Sequence, residues 1–230
     1  MPRVRAALAL VFVLSVPSTA EAVVPSGAKI VAHMTVQRSA PFVANYVETS
    51  ATAVPRVALR VVSDGQGRAR LDVQLLDKER TETRIFRPLL DEASGSEPAE
   101  RAPVWLQWWM GRDARDITTS AHIDLGLSSL AHVDGTILWV VGAGPRQAAT
   151  PQLQVERETG RLRRAVTVDG DTVRSSQLDA FIVRREQTTC FPQRLTLSIG
   201  GRDVTLVNTW LRIGDVARVE PKEFEPPVAR

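Results

Sequence analysis

The strongest constraint on this chain is the pattern that runs through its C-terminal part. Residues 152–156, 161–168, 172–184, 193–199 and 203–213 alternate apolar with polar positions, the period of a strand with one buried face. Glu158-Thr159-Gly160, Asp169-Gly170-Asp171 and Gly200-Gly201 supply short turns between successive stretches. Strands joined this tightly pair with their sequence neighbours, so the pattern predicts an up-and-down antiparallel meander. Leu195, Leu197 and Ile199 share one side, and Arg194, Thr196 and Ser198 the other. A sheet of this kind must curl, and its apolar face must be covered.

The same period appears upstream. Val57, Leu59 and Val61 lead into Asp64-Gly65-Gln66-Gly67, and Leu71, Val73 and Leu75 return, which predicts a hairpin. Further strands are expected over 42–52 and 81–86, the latter ended by Pro88. Ile123, Leu125 and Leu127 alternate, which suggests a strand or extended segment within 121–131. After the turn signal Asp134-Gly135, residues 136–141 are apolar on both faces and read as a central strand.

Two segments carry helical signals. Ser26 is placed as an N-cap, with Ile30, Val31 and Met34 on one face behind it. Val104 to Met110 is followed by Gly111 and places Trp105, Trp108 and Trp109 at i, i+3 and i+4. That face suits a core-packing helix and a cavity-lining helix equally, since tryptophan offers a large apolar body and one donor. The acidic, Ser/Gly/Pro-containing stretch 91–103 before it reads as a loop. The tail after Val219, with Pro221, Pro226 and Pro227, is expected to be flexible or draped on the body.

The N-terminus reads as an export signal occupying 1–22. Arg3 and Arg5 precede an apolar run from Ala6 to Leu14, Pro17 breaks it, and Ala20-Glu21-Ala22 offers a cleavage site. The run is too short to span a bilayer, which takes about 20 apolar residues. The only cysteine, Cys190, lies far from that site, so no lipid-attachment residue follows it and no internal disulfide is available. Cys190 itself, before Phe191-Pro192, reads as a small buried hydrophobe. The expected mature body therefore starts at Val23, runs to about 219, and is soluble in the periplasm.

Charge and motifs exclude several functions. Loss of Arg3, Arg5 and Glu21 with the leader takes the formal charge from +3 to +2, and no basic stripe with stacking aromatics exists, so nucleic acid is not an expected partner. His33, His122 and His132 show no metal-ligand spacing. His122-Ile123-Asp124 and His132-Val133-Asp134 repeat a His-x-Asp pattern, although Asp134 is better explained as a turn residue. There is no Gly-x-Ser-x-Gly elbow. Val140-Val141-Gly142-Ala143-Gly144-Pro145 starts like a dinucleotide loop but has Gln147 in place of the third glycine, and Pro145 and Pro151 oppose a helix. No catalytic residue, metal or cofactor is nominated.

The order of these pieces resembles the LolA/LolB-like superfamily of bacterial lipoprotein carriers. The stretch from Asp134-Gly135 to Trp139-Val140-Val141-Gly142 is similar to the family's central strand and turn. Pro151 to Val155 with Glu158-Thr159-Gly160-Arg161-Leu162 resembles a hairpin of LolA-like proteins of unassigned function, and Phe191 to Leu195 with Val204 to Trp210 resembles their closing strand pair. Residues 91–130 match nothing in that pattern. The resemblance implies a mainly β, α+β fold: a strongly bent antiparallel sheet, an incomplete barrel, capped by a few short helices.

It also implies a monomeric carrier of lipid-type cargo, with acyl chains of lipids or lipoproteins held between sheet and helical lid. Envelope membrane proteins would then be donor or acceptor. The residues expected to line that space are Trp105, Trp108, Trp109, Leu138, Val140, Leu153, Val155, Phe181, Leu206 and Trp210. The polar residue with which typical carriers hold the closed lid has no match here. A β-rich envelope scaffold or sensor with a filled core is the alternative, and an enzyme using a His-x-Asp pair the third.

Overall fold

The computed structural model describes residues 24–34, 40–49, 55–86, 102–110, 113–144, 147–183 and 190–225. The predicted leader, most of the 91–103 loop and the end of the tail lie outside them.

Eleven strands form one antiparallel sheet. They are β1 (Phe42–Glu48), β2 (Val57–Ser63), β3 (Ala69–Leu75), β4 (Arg80–Phe86), β5 (Ser128–Val133), β6 (Thr136–Val141), β7 (Gln152–Glu156), β8 (Leu162–Asp169), β9 (Thr172–Val183), β10 (Cys190–Ile199) and β11 (Arg202–Ile213). The order across the sheet is β4-β3-β2-β1-β11-β10-β9-β8-β7-β6-β5. Neighbours in sequence are neighbours in space except at one join, where β1 pairs β11 with Phe42 opposite Ile213. The predicted meander is present with its short turns. Strand β6 is the second strand from an edge rather than a central one.

The sheet is open, with β4 and β5 at its two edges. Bends come from irregular pairings: the register shifts at Asn45/Tyr46 against β11 and at Gln154/Val155 against β8. Such bulges bend a strand and strengthen its twist. Edge strand β4 carries Arg80, Glu82 and Arg84, and charge of this kind discourages pairing with another chain.

The chain must travel from edge strand β4 to edge strand β5, and that crossing contains two short helices. These are α2 (Val104–Trp109) and α3 (Ala114–Ser120). With α1 (Gly27–His33) they pack on one face of the sheet and complete the main core. The expected burial of Ile30, Val31 and Met34 is present. Ser26 is extended at the N-cap but makes no side-chain cap bond. Gly27 is required by proximity: a Cβ there would lie 2.6 Å from the Leu125 carbonyl oxygen and 2.9 Å from Val141 Cγ1.

Helix α3 was not anticipated; Ile123 and Leu125 lie in the connection after it, and of the expected strand or extended segment residues 128–131 are in β5. Their alternation reflects packing: Ile123 is buried and Leu125 packs on the core beside α1. Ile199, placed with Leu195 by alternation, is 57% exposed because it sits at the end of β10 next to the Gly200-Gly201 turn.

On the opposite face a smaller cluster joins Val43 and Val62 to Ala217 and Phe224. The tail is therefore draped as far as residue 225, and Val219 does not mark the limit of the folded body. Glu223 binds Arg60, and the Arg68 guanidinium lies 5.0 Å from the Phe224 ring centroid.

Candidate functional site

Helix α2 is the centre of the helix-covered face. All six of its residues are buried, including Gln107, so it has no solvent side. Gln107 is satisfied locally: its Nε2 donates to Ala102 O at 2.6 Å, and its Oε1 accepts from Ser120 Oγ at 3.4 Å. A six-residue helix has little stability of its own, so tertiary packing holds it in place.

Trp109 is the pivot of that packing. Its ring lies 4.8 Å from Trp105, 5.5 Å from Phe191 and 6.3 Å from both Phe42 and Tyr46, with the Tyr46 ring stacked at 12°. Phe42 and Phe191 also meet edge to face at 4.7 Å. The space beneath α2 is thus filled by aromatic rings. Tyr46 Oη donates to Pro192 O at 3.1 Å, and burial pushes its phenol well above the usual range. The Trp109 indole N–H is buried without an acceptor among the described residues. An unmet donor of this kind is costly and unusual in a native interior.

The residues expected to line one site divide between the two faces. Trp105, Trp108, Trp109, Leu153, Val155 and Leu206 are buried in the main core, and Phe181 packs partly against it. Leu138 and Val140 are buried on the other face, because Trp139 and Val141 between them take the core side. Trp210 is 39% exposed and lies beneath the Arg212 guanidinium at 4.8 Å. It is opposite Asn45, at the register shift of the β1–β11 pair. Leu138, Val140 and Trp210 therefore do not join the helix-covered site. Nothing is described of the Cys190 side chain.

Leu138 and Val140 belong instead to a cavity of about 490 Å³ on the face of β5–β9 away from the helices. Sequence reasoning missed it, although its polar lining was visible as the Gln152, Gln154, Arg164 and Gln177 positions between core residues. The turn after β6 is drawn close to Pro151: Gly142 has φ +97°, and a Cβ there would lie 2.5 Å from Pro151 O. Gln152 Nε2 donates to Gln147 O at 2.8 Å, tying this loop to the cavity wall. His132 and Asp134 lie at its exposed rim, whereas His122 is exposed in the turn after α3. Among the described residues no group of His, Cys, Asp and Glu is placed to hold a metal, and no helix is long and apolar enough to cross a membrane.

No family model and no curated protein matches the sequence. Solved structures do. A DUF1329 family protein from Desulfovibrio piger superposes with a TM-score of 0.50 at 13% identity, over 86% of this chain and 95% of that one. A LolA superfamily protein from Nitrosomonas europaea gives 0.48 at 12% identity, over 88% of this chain and 98% of that one. At such identity the likeness is one of fold. What this chain shares with the DUF1329 protein is an open antiparallel sheet with helices on one face, the mainly β, α+β fold that was expected.

Proposed function

We propose that the protein is an exported, periplasmic carrier or binding protein for lipid-type cargo, with α2 as a plug that cargo displaces. The observation that carries this reading is the burial of all of α2, with Trp109 at its centre, on the helix-covered face of an open sheet. Acyl chains need a dry concave surface and no catalytic group. Each methylene transferred from water contributes about 0.8 kcal/mol, so a long chain can offset the loss of several aromatic contacts. The unmet indole N–H adds a second motive, since displacement would let it find an acceptor. The resemblance to carriers in the order of sequence elements points the same way, with envelope membrane proteins as donor or acceptor.

The packed aromatic interior favours one other reading, a β-rich envelope scaffold or sensor with a filled core. Native mass spectrometry of the full-length protein recovered after expression with its own leader separates the two. The carrier reading expects bound acyl lipid, or uptake of cis-parinaric acid with energy transfer from tryptophan. It fails if the folded protein carries no lipid and takes up no parinaric acid. Trp108→Phe, a milder change than truncation, keeps the comparison meaningful if alanine variants unfold.

A further inference from the structure

The cavity on the face away from α1, α2 and α3 has a floor built from one cross-strand row. Val140 on β6 pairs with Gln154 on β7, Gln154 with Arg164 on β8, and Arg164 with Gln177 on β9. Side chains directly opposite in adjacent strands stand on the same face. Arg164 is thus flanked by two carboxamides, with buried Leu138 and Val140 as the apolar part of the lining.

The neighbouring Arg163 and Asp179 are committed to each other, and Arg164 is not. The bulge at Gln154/Val155 makes Arg163 the extra residue on β8, so both arginines reach the cavity. Arg163 is held by Glu156 at 3.1 Å and Asp179 at 2.9 Å. Asp179 also accepts from Gln177 Nε2 at 2.9 Å. Arg164, half-buried in the same cavity, has no ion pair or hydrogen bond among the described residues. Gln154 donates to Gln152 at 3.3 Å, but its own carbonyl oxygen and that of Gln177 accept no bond there. A guanidinium and two amide carbonyls therefore face the same space with hydrogen-bonding capacity to spare.

We infer that this cavity is a binding site for a small polyhydroxylated carboxylate, of the sugar-acid class. The volume of about 490 Å³ falls within the range of ordinary ligand sites, ~300–1,000 Å³. The planar guanidinium of Arg164 matches a carboxylate with two parallel bonds. With Asp179 paired to Arg163, Arg164 is the lining guanidinium left without an ion pair and Asp134 stands at the rim, so one cation is offered to one carboxylate rather than to a dianion such as a phosphate monoester. Gln154 and Gln177 offer acceptors to hydroxyls on either side of the bound carboxylate. The site is separated from α2 by the thickness of the sheet, so it stands whether or not lipid binds on the other face.

The test is titration of the 15N-labelled protein with glucuronate, glucose and acetate, read on the backbone amides of Gln154, Arg164 and Gln177. Glucuronate is expected to shift these amides saturably. Glucose, without the charge, and acetate, without the hydroxyls, are each expected to bind about tenfold more weakly. Arg164→Gln is expected to weaken glucuronate by about tenfold while leaving the rest of the amide spectrum in place. Gln177→Ala serves as a second variant with the same expected direction. The inference is overturned if about 20 mM glucuronate leaves these amides unshifted. Equal binding by Arg164→Gln, or by glucose or acetate, also overturns it.

Discussion

Glu223 grips Arg60 with both carboxylate oxygens: Oε1 accepts from Nη2 at 3.0 Å and Oε2 from Nη1 at 3.2 Å. The pair straps the tail to β2. Arg60 also reaches Asp72 at 3.4 Å, and Arg70 donates to the Glu223 carbonyl at 3.1 Å. The Arg60 hydrogen bond holds the Glu223 carboxyl below its ordinary range, against the smaller opposing effect of burial.

The first prediction follows from that sign. A carboxyl whose pKa is lower in the folded state stabilises above its unfolded value, about 4.3, and loses that contribution as pH falls through the folded value. Glu223→Gln should therefore lower stability by about 1 kcal/mol at pH 7, the scale of a partly exposed pair. The difference should be smaller at pH 3 than at pH 7, because the carboxyl takes up its proton as pH falls. Urea denaturation of both proteins at the two pH values checks it.

Tyr46 is the only tyrosine, so its phenol can be followed without interference. Burial raises its pKa, and the stability tied to the neutral phenol is present below about pH 10 and lost as pH rises above it. Absorbance at 295 nm should show no tyrosinate before alkaline unfolding, with both transitions coincident. Tyr46→Phe removes the bond to Pro192 O and should cost about 1 kcal/mol.

Trp109 should report what the bulk of its ring contributes. Trp109→Ala empties the centre of the aromatic cluster and is expected to cost about 3–5 kcal/mol. Trp109→Phe likewise removes the unmet indole donor but keeps an aromatic ring in the cluster, so its cost should be less than half as large. Both variants lose the orphaned N–H, so the gap between them in thermal or chemical denaturation reads the bulk of the ring, and equal losses would mean that a phenyl ring restores none of the packing.

Gly27→Ala should cost about 1–3 kcal/mol, because the new methyl meets backbone at Leu125 and cannot be accommodated by a rotamer change. Ala32→Gly, on the exposed side of the same helix, should cost about 1 kcal/mol or less. Comparison of the two melting curves distinguishes close approach from helix propensity.

The sheet was legible wherever period and punctuation agreed. Gln152–Glu156 and the Asp134-Gly135 turn appear where expected, because alternation over a half-buried sheet with short turns leaves little freedom. Helix α3 was not legible: Arg-Asp-Ile-Thr-Thr is poor helix-forming sequence, and its main local signal is Asp113, whose carboxylate accepts from Arg115 N at 2.7 Å.

The candidate site was half legible. Trp105, Trp108 and Trp109 converge because helical spacing survives folding, whereas strand residues need a face assignment that sequence does not contain. Leu138 and Trp139 are both apolar, and only the packed structure tells which one meets the helices. Trp210 was displaced by a bulge, one extra residue that no composition signal announces.

The pairing of Phe42 with Ile213 has a consequence for assembly. The four strands β4 to β1 can form from local hairpins, and so can the strands from β5 to β11, but their union waits for the last strand to be made. Joining partners so far apart in sequence is slow compared with closing hairpins. Until then β1 and β11 are both open edges, able to pair with another chain. The interval between synthesis and this single seam is thus the period of greatest aggregation hazard, and the point at which a chaperone would have most to protect.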